Sequence, residues 1–83
     1  MNWIDITTNE LPKPGTVVLV TLEPKNAYTT CYSSMVKKGK VDKYQNVLLD
    51  GADTKQQLFY SERFYISAYI TYPQPYQSTA NPE

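Results

Sequence analysis

The stretch Thr16-Val17-Val18-Leu19-Val20-Thr21-Leu22-Glu23 (TVVLVTLE, residues 16–23) decides the fold. Successive side chains of a β-strand point to opposite faces of its sheet. One face of this stretch would carry Val18, Val20 and Leu22, and the other would carry Val17, Leu19 and Thr21. A strand that is apolar on both faces is typical of the centre of a sheet. We therefore predict a central strand here.

The segments that follow predict a hairpin and a third strand. Residues 24–26 (PKN) form a turn sequence, and residues 27–36 are rich in Tyr, Thr and Val, which suit a pleated surface. Residues 37–40 (KKGK) would form a basic loop in which Gly39 provides the freely turning position. Residues 41–49 would then return as the third strand.

The last third of the chain predicts a turn and a final strand. Asp50-Gly51-Ala52-Asp53 is a turn signal, because Asp-Gly accepts the positive φ angles of tight turns. Residues 57–61 fit a short strand or one helical turn. Residues 66–72 alternate as a strand, which Pro73 would end. Its core face would carry Ile66, Ala68, Ile70 and Tyr72, and its outer face would carry Tyr65, Ser67, Tyr69 and Thr71.

Together these elements predict an all-β or β-dominated fold. We expect a small antiparallel sheet of four or five strands, curled or partly closed, with at most one short helical turn; residues 8–11 are another place for such a turn. The domain would span residues 1–76, and residues 77–83 would form a flexible tail. Because 83 residues build only a small core and a sheet leaves edges, we also expect a homo-oligomer.

Charge and composition disfavour several classes of protein. Eight basic and eight acidic side chains cancel, so the chain lacks the positive charge of a duplex-DNA-binding protein. The longest mostly apolar run, residues 16–22, is shorter than the ~18 residues of a transmembrane helix, and residues 1–3 do not begin a signal peptide. The single cysteine, Cys31, allows no internal disulfide. We expect a cytoplasmic protein without membrane contact.

The chain contains no histidine, the commonest general base and metal ligand. Cys31 therefore lacks the partner that zinc sites and cysteine nucleophiles need, and a small buried hydrophobic residue is its better explanation. Asp50, Asp53 and Glu62 could hold a hard cation, but Asp-Gly-Ala-Asp lacks the ligand series of a calcium-binding loop. We expect no enzymatic activity, no metal and no cofactor.

Lysines and aromatic rings occur together in one part of the sequence. Its candidate binding residues are Tyr32, Lys37, Lys38, Lys40, Lys43 and Tyr44. A groove of this kind could stack a nucleotide or single-stranded bases on tyrosine faces. The other explanation is a solvated hairpin turn whose lysines discourage edge-to-edge aggregation.

The chain contains eight tyrosines, of which residues 65–76 hold four. Tyrosine buries a large ring while its hydroxyl reaches water or a backbone partner, so part of this set belongs to the core. The remainder indicates a binding surface, because tyrosine offers wide contact at a small entropic cost. The predicted outward face adds Tyr65 and Tyr69 to the surface for a partner or ligand.

The two ends of the chain carry a family resemblance. The start, Trp3-Ile4-Asp5, then Leu11-Pro12, Gly15 and Val18-Leu19-Val20, and the end, residues 67–75 (SAYITYPQP), resemble a family of small phage and prophage proteins known as domain of unknown function 551. Ala68 stands where that family usually has histidine, Tyr69 where it has tryptophan, and Thr71 where it has proline. The middle of the chain does not match.

The resemblance implies a setting rather than a mechanism. It implies a small β-rich phage protein in the bacterial host cytoplasm, with Trp3 and Tyr69 as packing partners. Our leading hypothesis is a non-enzymatic accessory protein that binds and inhibits a host protein, such as a component of bacterial immunity. The alternative is a sponge that sequesters a small nucleotide signal through tyrosine and lysine side chains, and single-stranded nucleic acid is a third candidate ligand.

Overall fold

The computed structural model of this protein describes residues 3–72. Five strands, one α-helix and one short 3-10 turn make up this part of the chain. They are β1 (Ile4–Asp5), β2 (Val17–Pro24), a 3-10 turn (Asn26–Tyr28), β3 (Met35–Val41), β4 (Val47–Leu49), α1 (Thr54–Arg63) and β5 (Phe64–Thr71). The fold is therefore dominated by strands, as the sequence predicts.

The strands form one antiparallel sheet in the order β1-β5-β2-β3-β4. The predicted central strand over residues 16–23 is confirmed, since β2 pairs with β3 on one side and with β5 on the other. The sheet stays open within residues 3–72, with the two shortest strands, β1 and β4, at its edges. Short edge strands limit the backbone that is exposed to pairing with other chains.

The core lies on one face of the sheet, which we call the helix face. Val18 and Val20 are fully buried in its centre, at 0% exposure. The other buried residues of this core are Leu22, Val41, Val47, Leu49, Phe64 and Tyr69. Ile6 and Leu11 from the N-terminal segment and Phe59 and Tyr60 from α1 pack against it. The opposite face of the sheet, which we call the open face, carries Val17, Leu19 and Thr21 of β2, each partly exposed.

Helix α1 is longer than the single turn considered for residues 57–61. It begins after Asp53, whose carboxylate accepts a hydrogen bond from the Gln56 N–H (2.8 Å), while the Gln56 side chain accepts one from the Asp53 N–H (3.0 Å). This reciprocal capping box stabilises a helix start by occupying two N–H groups that lack helical partners. The predicted turn before it is confirmed, because Gly51 has a φ of 77°.

The middle of the chain departs from the prediction. Residues 27–36 do not form a strand; only Met35 and Val36 belong to β3, and a 3-10 turn begins at Asn26. Residues 37–40 are not a loop, because they lie inside β3. Residues 41–49 divide into the end of β3, a turn and β4, so the hairpin turn falls at residues 42–46.

The physical reason for this shift is where the aromatic rings pack. Tyr32 contacts rings of α1 and β5, at 5.7 Å from Phe59 and 5.4 Å from Phe64 between centroids, and the Tyr28 ring lies 6.2 Å from that of Tyr32. The Arg63 guanidinium lies 4.5 Å above the Phe59 ring and 5.6 Å from that of Tyr28. Aromatic burial against the helix thus outweighs the strand preference of Tyr and Thr.

A bulge in β5 reverses the predicted faces of the last strand. Thr21 pairs with Ala68 and Leu22 pairs with Ile66, so Ser67 is an extra residue on β5. Beyond this bulge Tyr69 faces the core and is 7% exposed, whereas Ala68 and Ile70 lie on the open face. The expectation that Tyr69 points outward and that Ala68, Ile70 and Tyr72 point inward is therefore wrong.

The two ends of the described chain meet as neighbouring strands. Ile4 pairs with Tyr69 and Asp5 with Ala68. The cross-strand partner of Tyr69 is thus Ile4, and Trp3 is 43% exposed. Residues 6–9 form a turn, where residues 8–11 were considered for a helical turn. The predicted stop at Pro73 and the tail of residues 77–83 lie outside the described residues.

Candidate binding surfaces

A groove of about 580 Å³ lies on the helix face. The sheet contributes Leu22, Phe64 and Ile66, and the N-terminal segment contributes Ile6 and Leu11. Helix α1 adds Gln57, Tyr60 and Ser61, and the β3–β4 hairpin adds Gln45, Asn46, Val47, Leu48 and Leu49. Pockets for small ligands or inserted side chains have a similar size, about 300–1,000 Å³.

The lining of this groove is mostly apolar, and none of the residues 3–72 that line it carries a charge. Its polar groups are the amides of Gln45, Asn46 and Gln57 and the hydroxyls of Tyr60 and Ser61. The Gln57 amide is already engaged, since it donates to the Val47 carbonyl and accepts from the Leu49 N–H, both at 2.9 Å. The groove is therefore suited to an apolar group with one or two polar atoms at its edge.

The structure divides the predicted lysine and tyrosine site between several surfaces. Because residues 37–40 are a strand, successive lysines point to opposite faces. Lys37 lies on the helix face with its ammonium 5.2 Å from the centre of the Tyr60 ring. Lys38 and Lys40 lie on the open face, opposite Leu19 and Val17 in β2.

Lys38 is the most engaged of these lysines. Its ammonium lies 4.4 Å from the centre of the Tyr72 ring and 3.9 Å from the Asp50 carboxylate. Both contacts lie at the surface, where an ion pair contributes about 0–1 kcal/mol. This arrangement resembles a solvated strand face more than a preformed anion site.

The other candidate residues lie apart from this face. Lys43 and Tyr44 share the β3–β4 turn, where the ammonium is 5.1 Å from the ring centre and Tyr44 is 70% exposed. Tyr32 is half-buried in the aromatic cluster beside α1. Tyr65 lies on the open face and is 48% exposed, as predicted, while Tyr69 is in the core. Cys31, expected to be buried, is exposed in the loop before β3.

The sequence does not predict the groove, because a short strand or a single helical turn over residues 57–61 would not form the side that α1 provides. A signal was present: Asp53 is followed three residues later by Gln56. That spacing is typical of a helix N-terminus. With a helix over residues 54–63, Gln57, Tyr60 and Ser61 would have been placed together on one side of it.

The carboxyl group of Asp5 has a pKa that local hydrogen bonds shift from its ordinary value. The Thr7 hydroxyl donates to its carboxylate at 2.7 Å and the Thr7 N–H donates at 2.8 Å. These two hydrogen bonds lower the pKa of Asp5 below its ordinary value of 3.8. Within residues 3–72 no three acidic or cysteine side chains come close enough to hold a metal ion.

Residues 3–72 form an open five-stranded antiparallel sheet, and an uncharged apolar groove lies beside its helix. Comparison with models of protein families, with curated proteins and with solved structures found no significant match. The resemblance of the chain's two ends to the phage family therefore stays a prediction. No helix in residues 3–72 is long and apolar enough to cross a membrane.

Proposed function

We propose that this chain is a non-enzymatic phage accessory protein that binds a host protein and inhibits it. The observation that carries the proposal is the groove of about 580 Å³ on the helix face. Its apolar, uncharged lining offers a place for an apolar side chain or short segment of another protein. The exposed Tyr44 stands in the hairpin turn next to Gln45 and Asn46 at the groove, where it adds aromatic contact area.

The biological setting of the proposal rests on the resemblance of the chain's two ends. A phage protein made in the bacterial cytoplasm would meet host proteins there, and a component of bacterial immunity is a target that a phage gains from inhibiting. The absence of histidine from the whole chain supports a role in binding rather than in catalysis.

The test is capture of the host protein with matched groove and control variants. Ser61→Trp would fill the groove, because Ser61 is exposed and lines it. Ser34→Trp makes the same exchange at an exposed position in the loop before β3. We expect the tagged wild-type chain and Ser34→Trp to retain a stoichiometric host protein, and Ser61→Trp to lose at least tenfold in affinity for it.

Inhibition is tested with the same set of proteins. The activity of the captured host protein should fall when wild type or Ser34→Trp is added and should persist with Ser61→Trp. Purification from host lysate without any stoichiometric host protein would contradict the proposal, as would equal binding by both tryptophan variants.

The nucleotide sponge is less well supported by the geometry, because Lys37 and Lys38 lie on opposite faces of the sheet. It retains one feature, the lysine pair Lys38 and Lys40 beside Tyr72 on the open face. Native mass spectrometry of the gently purified protein separates the two functions. A small adduct that disappears in Lys38→Glu/Lys40→Glu would favour the sponge, whereas a bound host protein favours inhibition.

A further inference from the structure

The open face of the sheet carries many apolar side chains beside its charged ones, and no other element among residues 3–72 covers it. Its apolar residues are Val17, Leu19, Val36, Leu48, Tyr65 and Ile70. Val36, Leu48 and Tyr65 are 53%, 53% and 48% exposed. An antiparallel sheet with one solvated face normally alternates apolar and polar residues. Here β2 is apolar on both faces, which is typical of a strand buried on both sides.

We propose that the open face binds the open face of a second copy of this chain, which gives a two-layered β-sandwich dimer. The other occupant within the molecule would be residues 73–83 (PQPYQSTANPE). That segment offers one tyrosine and no aliphatic residue larger than alanine. It has too little apolar surface to replace a second sheet, whose side chains would interdigitate across the interface.

The charges on the open face favour a second copy over an unrelated partner. Lys40 lies on the β3 side of this face, opposite Val17. An acidic residue of this face, Glu23, lies at the opposite end of β2, beside Tyr65. Among residues 3–72 neither Lys40 nor Glu23 has an ion-pair partner, whereas Lys38 is paired with Asp50.

This distribution of charge is self-complementary. In a two-fold dimer the same patch on each copy contacts the other. A two-fold axis that lies between the two sheets and runs perpendicular to the strands places the Val17 end of one sheet over the Glu23 end of its partner. Lys40 of each copy then lies near Glu23 of the other, so the same pair of opposite charges forms twice. The groove lies on the helix face, so this dimer reaches it only at its rim, where Leu48 borders both surfaces.

The first test is sedimentation equilibrium of the full chain with matched leucine variants. Leu48 and Leu58 are 53% and 55% exposed, but Leu48 lies in β4 on the open face and Leu58 lies on α1. We expect wild type and Leu58→Glu to reach about twice the 9.5 kDa mass of one chain. Leu48→Glu should weaken the dimer at least tenfold. Equal masses for both variants, or a monomeric wild type at millimolar concentration, would overturn the proposal.

A charge exchange gives a second test that does not depend on the apolar variants. Lys40→Glu alone and Glu23→Lys alone each place like charges across the interface, so each should weaken the dimer about tenfold. The double variant restores opposite charges and should regain the wild-type dissociation constant. A double variant whose dissociation constant rises by as much as the two single changes predict together would overturn the two-fold arrangement. A chain shortened after Tyr72 should still dimerise; dimerisation that appears only after this truncation would instead make residues 73–83 the cover.

Discussion

At the scale of single residues, Gly39 explains why β3 and β4 lie so close together. A Cβ atom at this position would stand 2.5 Å from Val47 Cγ1 and 2.8 Å from the Leu48 carbonyl oxygen. The sequence predicts a turn at Gly39 because glycine is common in turns, whereas the structure needs glycine there for the close approach of a neighbouring strand. A glycine inside a basic run carries no signal that separates these two uses.

Replacing Gly39 by alanine should destabilise the fold by about 1–3 kcal/mol, the usual cost of overpacking a core. Val47 is 4% exposed and Leu48 presents backbone, so neither neighbour can move aside freely. Urea unfolding followed by circular dichroism measures the loss. Lys55→Ala, at an exposed position of α1, is the control and should change the free energy of unfolding by less than about 0.5 kcal/mol. Equal effects at the two positions would contradict this account.

Asp5 predicts how acid affects the N-terminal turn. Because hydrogen bonds from Thr7 lower its pKa in the folded protein, the stabilisation is fully present above the ordinary pKa of 3.8. It is lost as the pH falls through the lower folded value. Thr7→Val removes the hydroxyl, the larger of the two causes, so the pKa of Asp5 should rise toward 3.8.

This prediction can be checked by NMR titration of the Asp5 carboxyl carbon between about pH 2 and pH 6. Thr8→Val is the matched control, since the Thr8 hydroxyl does not bond the Asp5 carboxylate. A pKa of Asp5 that stays unchanged in Thr7→Val, or that shifts equally in Thr8→Val, would show that the hydroxyl of Thr7 is not its cause.

At the scale of elements, the β4 edge is closed by a side chain. Gln57 on α1 bonds the Leu49 N–H and the Val47 carbonyl, two groups on the outer side of β4, as a neighbouring strand would. The remaining side of β4 pairs with β3. One glutamine thus joins the helix to the sheet and occupies an edge that could otherwise template pairing with another chain.

Gln57→Leu should therefore cost about 1–3 kcal/mol, because it leaves a partly buried donor and acceptor without partners. The amide hydrogen of Leu49 should also exchange with solvent faster than in wild type. Lys55→Leu, an exposed change on the same helix, serves as the control and should preserve the exchange rate of Leu49. A Leu49 amide equally protected in Gln57→Leu would mean that Gln57 does not close this edge.

The elements that the sequence predicts well are those with an uninterrupted period of two. β2 follows such a period from Val17 to Leu22, and both of its faces were assigned correctly. β5 was placed correctly, but the extra residue Ser67 shifted its later side chains to the opposite face. A single inserted residue reverses every face assignment after it, and alternation in the sequence does not reveal where it lies.

At the scale of the whole molecule, tertiary contacts outweigh the local strand preference of the segment before β3. The strand-like residues 27–34 instead lie beside α1, where Tyr28 and Tyr32 join Phe59, Tyr60 and Phe64 in one aromatic cluster. Packing explains four of the tyrosines: the core contains Tyr69, and the aromatic cluster contains Tyr28, Tyr32 and Tyr60. The residues of the predicted binding site lie on separate surfaces of the structure. The prediction treats neighbours in sequence as neighbours in space, which fails when residues 37–40 extend as a strand.

The proposed dimer makes the stability of the molecule depend on its concentration. If unfolding is coupled to dissociation, a tenfold rise in protein concentration should raise the melting midpoint by about 4 °C, given an unfolding enthalpy near 0.7 kcal/mol per residue. Differential scanning calorimetry at concentrations above and below the dissociation constant measures this shift. Leu48→Glu should show a midpoint that hardly moves with concentration, whereas Leu58→Glu should follow wild type. A wild-type midpoint that stays constant over a hundredfold range would contradict a dimer formed through the open face.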